Sequence, residues 1–244
     1  MFKKILILIG TFLLISNVDA EVVNDFNVIA SNTKFYKTII YNNEVMLNNI
    51  NNSNSITTEI SEDEYNNAND FFEKNNFVET NYKKLTSSII KNGKKYRFKA
   101  ELTWKNIPKI RSNDIIGIGY ENIVKISGRT YFVQSYCLNN GKCYNSSVNS
   151  SQNFSNGVGT SFLIPTGDIK SLKQTFYFDV VKNTSSVINL LKASADYSHA
   201  TTAISLTNSK KYTVNLNGIK LNDSIKSYYD EINAATTTLN NISW

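Results

Sequence analysis

The chain has 244 residues, a length that fits one or two domains, and 41% of them are hydrophobic, so a substantial core can form. Charged residues make up 19%, below the usual share of about a quarter, and two prolines and ten glycines exclude collagen-like or proline-rich character. The net charge of +6 is unevenly placed: residues 21–80 hold ten acidic and three basic side chains, residues 81–244 nine acidic and twenty-one basic.

Lys3 and Lys4 precede an apolar run from Ile5 to Ile15. Val18-Asp19-Ala20 then offers small or β-branched residues at −3 and −1 of a cleavage point before Glu21. This pattern predicts a secretory signal peptide over residues 1–20 and a secreted, extracellular or cell-wall-associated product. The apolar run falls short of the ~20 residues that span a bilayer.

Residues 21–80 read as an acidic N-terminal segment, either a pro-segment or an accessory region. Tyr36 to Tyr41 suits a short strand, and the Asn-dense tract from Asn42 to Ser55 suits a loop. Ser61-Glu62-Asp63-Glu64 is a capping box, which predicts a helix of about ten residues reaching Phe71 and Phe72. The opposite charges of the two parts predict that this segment docks on the basic body and masks part of it.

From residue 81 to 244 the apolar period becomes two. The clearest strand is Lys95 to Lys105. Tyr96, Phe98, Ala100, Leu102 and Trp104 share one face, and Lys95, Arg97, Lys99, Glu101 and Thr103 the other. Asn92-Gly93 marks a hairpin between it and Leu85 to Lys91. Further strands are expected at Asp114 to Tyr120, Asn122 to Ser127, Thr130 to Leu138, Val158 to Ile164, Gln174 to Val181, Val187 to Tyr197, Ala200 to Leu206 and Lys211 to Leu216. The Ser/Asn/Gly-rich stretch from Asn145 to Gly159 reads as a mobile loop. A short helix should open at Asp223-Ser224, with Ile225, Tyr228, Tyr229 and Ile232 on one face. The expected fold is mainly β: an antiparallel β-sandwich or partly closed barrel with a short N-terminal and a short C-terminal helix.

Cys137 and Cys143 flank Leu138-Asn139-Asn140-Gly141-Lys142. A three-residue Asn139-Asn140-Gly141 loop would set the cysteines opposite each other; a two-residue Asn140-Gly141 turn would pair Cys137 with Tyr144. In an oxidising compartment the pair is expected to form a disulfide. Two cysteines alone do not make a zinc site.

His199 stands in Asp196-Tyr197-Ser198-His199 and is the chain's single histidine. Alternation puts Asp196 and Ser198 on one strand face and Tyr197 and His199 on the other, so the three polar neighbours do not form a triad among themselves. A distant acid can still reach the ring. Asp114, Glu121, Asp168, Asp179, Asp196 and Asp223 offer oxygen for calcium, but none sits in a recognised loop motif. Gly117-Ile118-Gly119 lacks the third glycine and following helix of a phosphate loop. Tyr131, Tyr136, Tyr144, Tyr228, Tyr229 and Trp244 are aromatics not committed to the core by periodicity.

Trp104-Lys-Asn-Ile-Pro108 and Asp196-Tyr-Ser-His-Ala200 resemble segments of secreted proteins of Gram-positive bacteria; the resemblance assigns no residue roles. The leading expectation is a non-catalytic secreted protein that binds an anionic surface or polymer (cell wall, glycan or membrane headgroups) through Lys95, Arg97 and Lys99. It expects no cofactor, no metal and no nucleic-acid partner. The alternatives are a membrane-damaging toxin of the pore-forming type and an extracellular polysaccharide or wall hydrolase.

Overall fold

The computed structural model describes residues 28–41, 55–68, 77–148 and 151–244. The expected signal peptide, all but the last residue of the expected Asn42 to Ser55 loop, and Phe71 and Phe72 lie outside them. The described chain is mainly strand, and every pairing between strands is antiparallel. In chain order it runs β1 (Val28–Tyr41), β2 (Ser55–Ile60), α1 (Glu62–Asn67), β3 (Phe77–Asn92), β4 (Lys95–Trp104), β5 (Asn113–Tyr120), β6 (Val124–Leu138) and β7 (Cys143–Val148). It continues through β8 (Gln152–Phe154), β9 (Gly157–Leu163), β10 (Ile169–Lys182), β11 (Leu190–Ser198), β12 (Tyr212–Asn215), β13 (Gly218–Leu221), α2 (Asp223–Lys226) and β14 (Ala235–Asn240).

A seven-stranded sheet has the order β2-β1-β3-β4-β10-β6-β7, and a five-stranded sheet the order β14-β11-β5-β9-β8. Their inner faces contribute to one core: Phe98, Phe176 and Phe178 from the first sheet, with Ile118, Val158 and Ala195 from the second. The alternation expected in β4 is present, since Tyr96, Phe98, Ala100, Leu102 and Trp104 are all buried. The β3–β4 hairpin closes as expected through Gly93, whose φ of 59° favours glycine. The Cys137–Cys143 disulfide is formed across the β6–β7 hairpin. Leu138 and Lys142 close the three-residue loop, and Gly141 takes a φ of 83°.

The acidic N-terminal segment is part of the fold where it is described. β1 pairs with β3 from Val28↔Ile90 to Tyr41↔Phe77, and β2 extends the same sheet. The boundary drawn between residues 80 and 81 therefore falls inside β3. Period-two reading missed this because β1 alternates imperfectly and its partner lies far along the chain. Ser61 caps α1 as expected, its hydroxyl accepting from the Glu64 N–H at 3.0 Å. The helix ends at Asn67, shorter than expected, and sits between two strands; β14 likewise follows α2.

Three other expectations are corrected. Asn122 to Ser127 and Thr130 to Leu138 are one strand, β6, which shifts register near Gly128 and continues. Asn145 to Gly159 is not one loop: it includes most of β7, all of β8 and the start of β9, and the chain passes there from one sheet to the other. Ala200 to Leu206 forms only the bridge Ala200↔Tyr229. Side chains take over its backbone groups: Asn113 Nδ2 donates to the Ile204 carbonyl at 2.8 Å, and Ser112 Oγ accepts from the Ile204 N–H at 2.9 Å.

The β12–β13 hairpin pairs only with itself and lies against the five-stranded sheet. Gly117↔Gly159 and Gly119↔Gly157 are registered pairs on β5 and β9. A Cβ at Gly117 would stand 2.9 Å from Val214 Cγ2, one at Gly159 would stand 2.8 Å from Tyr212 Cε2, and one at Gly119 would collide with the Asn215 backbone. The Gly-Ile-Gly motif is thus a bare shelf that lets a hairpin backbone approach a sheet. Tyr212 and Val214 pack beside it with Ile115, Ile204 and Tyr229.

Candidate functional site

Two polar features stand out, one inside the protein and one on its surface. The internal one begins with β5 and β11, adjacent in the five-stranded sheet. Their pairing brings Asp114 to the face that Tyr197 and His199 share. The Asp114 carboxylate accepts from the Tyr197 hydroxyl, from His199 Nδ1 at 3.0 Å and from the Ala200 N–H at 2.9 Å. The distant acid open to His199 is therefore Asp114, while Asp196 and Ser198 point away as alternation requires. The His199 ring is edge-on to Trp104 at 5.0 Å between centroids. Its Nε2 has no protein hydrogen-bond partner, and the residue is 0% exposed. A polymeric substrate cannot touch it in this fold.

Beside this group lies a buried ion pair between Lys83 of β3 and Asp230, both side chains 0% exposed. Asp230 also accepts from the Thr38 hydroxyl at 3.1 Å and the His199 N–H at 2.7 Å. Lys83 Nζ stands 5.4 Å from the Trp104 ring centroid. Gln174 accepts from Trp104 Nε1 at 3.2 Å and continues the polar layer across the inner face of the larger sheet. These groups join β1, β3, β4, β5, β10 and β11 in one network. Its low-dielectric setting strengthens each bond and makes every broken one costly.

Asp196 faces the β12–β13 hairpin instead. Its carboxylate accepts from the Tyr197 N–H at 2.7 Å and the Ile219 N–H at 2.6 Å. Burial, the largest influence, pushes its pKa up to about 7 against the pull of those two N–H groups and of Lys83. A folded pKa above the unfolded value of ~3.9 means that the folded state holds the proton longer. Asp196 should therefore lower stability progressively as pH rises from about 4 to about 7. Urea midpoints across this range for the wild type and Asp196→Asn test it. The substituted protein should be weaker at low pH, because an amide N–H₂ faces a backbone N–H, but its midpoint should fall less steeply. Parallel profiles would show that Asp196 does not titrate in this window.

The surface feature is the end of the larger sheet formed by the β3–β4 turn, the end of β10 and the start of β6. Register places Asn92↔Lys95, Val180↔Tyr96 and Lys182↔Val124 there. Lys91, Lys94, Lys95, Arg97, Lys125, Arg129 and Lys182 lie on the segments that register brings to this end, with Asp179 and Glu121 as the acids among them. Of the three cations expected to bind a ligand, Lys95 is half-buried at the turn. Arg97 Nε donates to Asp179 Oδ1 at 2.8 Å, and Lys99 is 6% exposed with its Nζ 3.7 Å from Glu101. Arg97 and Lys99 are thus spent largely on contacts within the sheet, which alternation alone does not reveal. Lys94, Lys125 and Arg129 are the exposed cations, and sequence reading passed over them.

Arg97 Cζ also stands 4.8 Å from the ring centroid of Tyr177, and Tyr177 stacks on Tyr131 at 4.9 Å with 12° between planes. Tyr136 stacks on Tyr144 at 5.3 Å. Of the uncommitted aromatics, Tyr131, Tyr144 and Tyr228 are exposed, Tyr229 is buried, and Trp244 packs edge-on to Tyr96 at 4.9 Å. Among the described residues no three His, Cys, Asp or Glu side chains gather as a metal site needs, and no helix is long and apolar enough to cross a membrane.

No protein-family model matches the chain, and no curated protein matches it. Among solved structures, one described as the N-terminal domain of PorA aligns at 12% identity. The alignment covers 44% of this chain and 66% of that chain, with a TM-score of 0.15, too low to carry any argument about fold or function.

Proposed function

We propose that this is an exported, non-catalytic β-sandwich protein that binds an anionic surface or polymer through the basic end of its larger sheet. The observation that carries the reading is the crowding of cations where the β3–β4 turn meets β6 and β10. Strands from three parts of the chain converge there, and exposed Lys94, Lys125 and Arg129 stand clear of the ion pairs that occupy Arg97 and Lys99. The core shared by two antiparallel sheets supports the sandwich, and the disulfide accords with an oxidising compartment.

Binding of this kind weakens with salt, because exposed charges are screened within about 10 Å at 0.1 M. Replacing Lys94, Lys125 and Arg129 together by Glu should abolish retention on anionic polymers and vesicles at low salt while leaving thermal stability nearly unchanged. Wild-type protein that passes through such matrices at low salt, or a triple variant that binds as well, would overturn the reading.

A further inference from the structure

We infer that the anionic partner is an acidic polysaccharide, with a sugar ring stacked on Tyr131 and its acidic groups met by Arg129 and Lys125. This rests on the proposed binding reading and narrows it to one chemical class.

The argument starts from how Tyr131 is held. Tyr177, opposite it on β10, is 4% exposed and stacks nearly parallel to its ring. The Arg97 guanidinium lies by Tyr177 and is itself held by Asp179. Tyr131 is therefore a fixed ring, yet it is 42% exposed. A rigid, half-exposed aromatic on a strand loses little conformational entropy when something flat settles on it. Its polar rim and apolar face match the C–H surface and hydroxyls of a pyranose. Arg129 lies two residues before it, and Lys125 near the start of the same strand, both exposed. A chain carrying both rings and regularly spaced carboxylates or sulfates meets the ring and the cations together.

A lipid surface would use this end differently. It would use apolar projections, and those at this end are scattered: Val187 in the loop after β10 is 82% exposed, and Val28 and Ile29 on β1, four strands from Tyr131, are 37% and 44% exposed. Short, scattered side chains add little to membrane affinity, since even a whole myristoyl chain alone gives only marginal, reversible binding.

The test compares two linear polyanions, polygalacturonate with sugar rings and polyphosphate without, alongside phosphatidylserine vesicles. Tyr131→Ala should weaken polygalacturonate binding about five- to tenfold and leave polyphosphate binding unchanged. Tyr131→Phe should restore it. Equal losses on both polymers, or none on either, would overturn the stacking role. Wild-type binding to vesicles alone, weakened by Val187→Ser, would replace the glycan with a membrane and leave the parent reading standing. Wild-type binding to none of the three would overturn both.

Discussion

A chain lacking residues 21–80 should fail to fold. The deletion removes β1 and β2, α1 and the first four residues of β3. It strips the backbone partner from the edge of β3 and takes away Phe35, Tyr36 and Ile40, all buried. Burial of each such side chain contributes about 1.5–3 kcal/mol, and three together approach the ~5–15 kcal/mol that holds a typical domain. β1 also ties the molecule across: the Tyr36 hydroxyl donates to the Asn233 carbonyl, and Asn32 Nδ2 to the Thr236 carbonyl at 2.9 Å. Size-exclusion chromatography and thermal unfolding of the truncated protein should show aggregate and no cooperative transition. A folded, monomeric product that binds anionic matrices more tightly than the full chain would establish the segment as a removable mask.

The second large effect concerns Lys83. Lys83→Met should cost about 3–5 kcal/mol, because it leaves the Asp230 carboxylate buried without its cation. Thr38 and the His199 N–H still donate to that carboxylate and limit the damage. Asp230→Asn should cost a similar amount by stranding the ammonium. The double variant Lys83→Met, Asp230→Asn should be more stable than the sum of the single losses predicts, since it buries no lone charge. Urea unfolding of the four proteins gives the coupling directly. Additive losses, or a Lys83→Met cost below about 1 kcal/mol, would mean that the pair does not act as a buried unit.

The parts of this fold written in short-range pattern were legible. β4 could be read from alternating Tyr96 to Trp104, its hairpin from Asn92-Gly93, the disulfide loop from Asn139-Asn140-Gly141, and the cap of α1 from Ser61. Each depends on residues a few positions apart. What escaped depends on distant partners. The register of β1 with β3 joins two segments that have β2 and α1 between them in the chain. Asp114 and His199 meet only because β5 and β11 are neighbours in the sheet. Alternation correctly put Lys99 on the outer face of β4, but exposure there depends on Tyr177 and Glu101 beside it. The glycines of β5 and β9 did leave a signal: two Gly-x-Gly motifs at strand period mark a face made bare for close approach. Read as a failed phosphate loop, the first of them hid its meaning.

The strand order also governs how the chain assembles as it emerges N-terminus first. β10 sits between β4 and β6, yet residues 169–182 are synthesised after both. The β3–β4 and β6–β7 hairpins are local and can close early, the latter with its own disulfide. Until β10 emerges, each presents a bare edge to its surroundings, and Phe98 and Phe132 lack the cover of Phe176 and Phe178. A chain emerging N-terminus first is most vulnerable to edge-to-edge aggregation between the emergence of Leu138 and that of Lys182. A single late strand then joins the two halves of the sheet and ends that exposure.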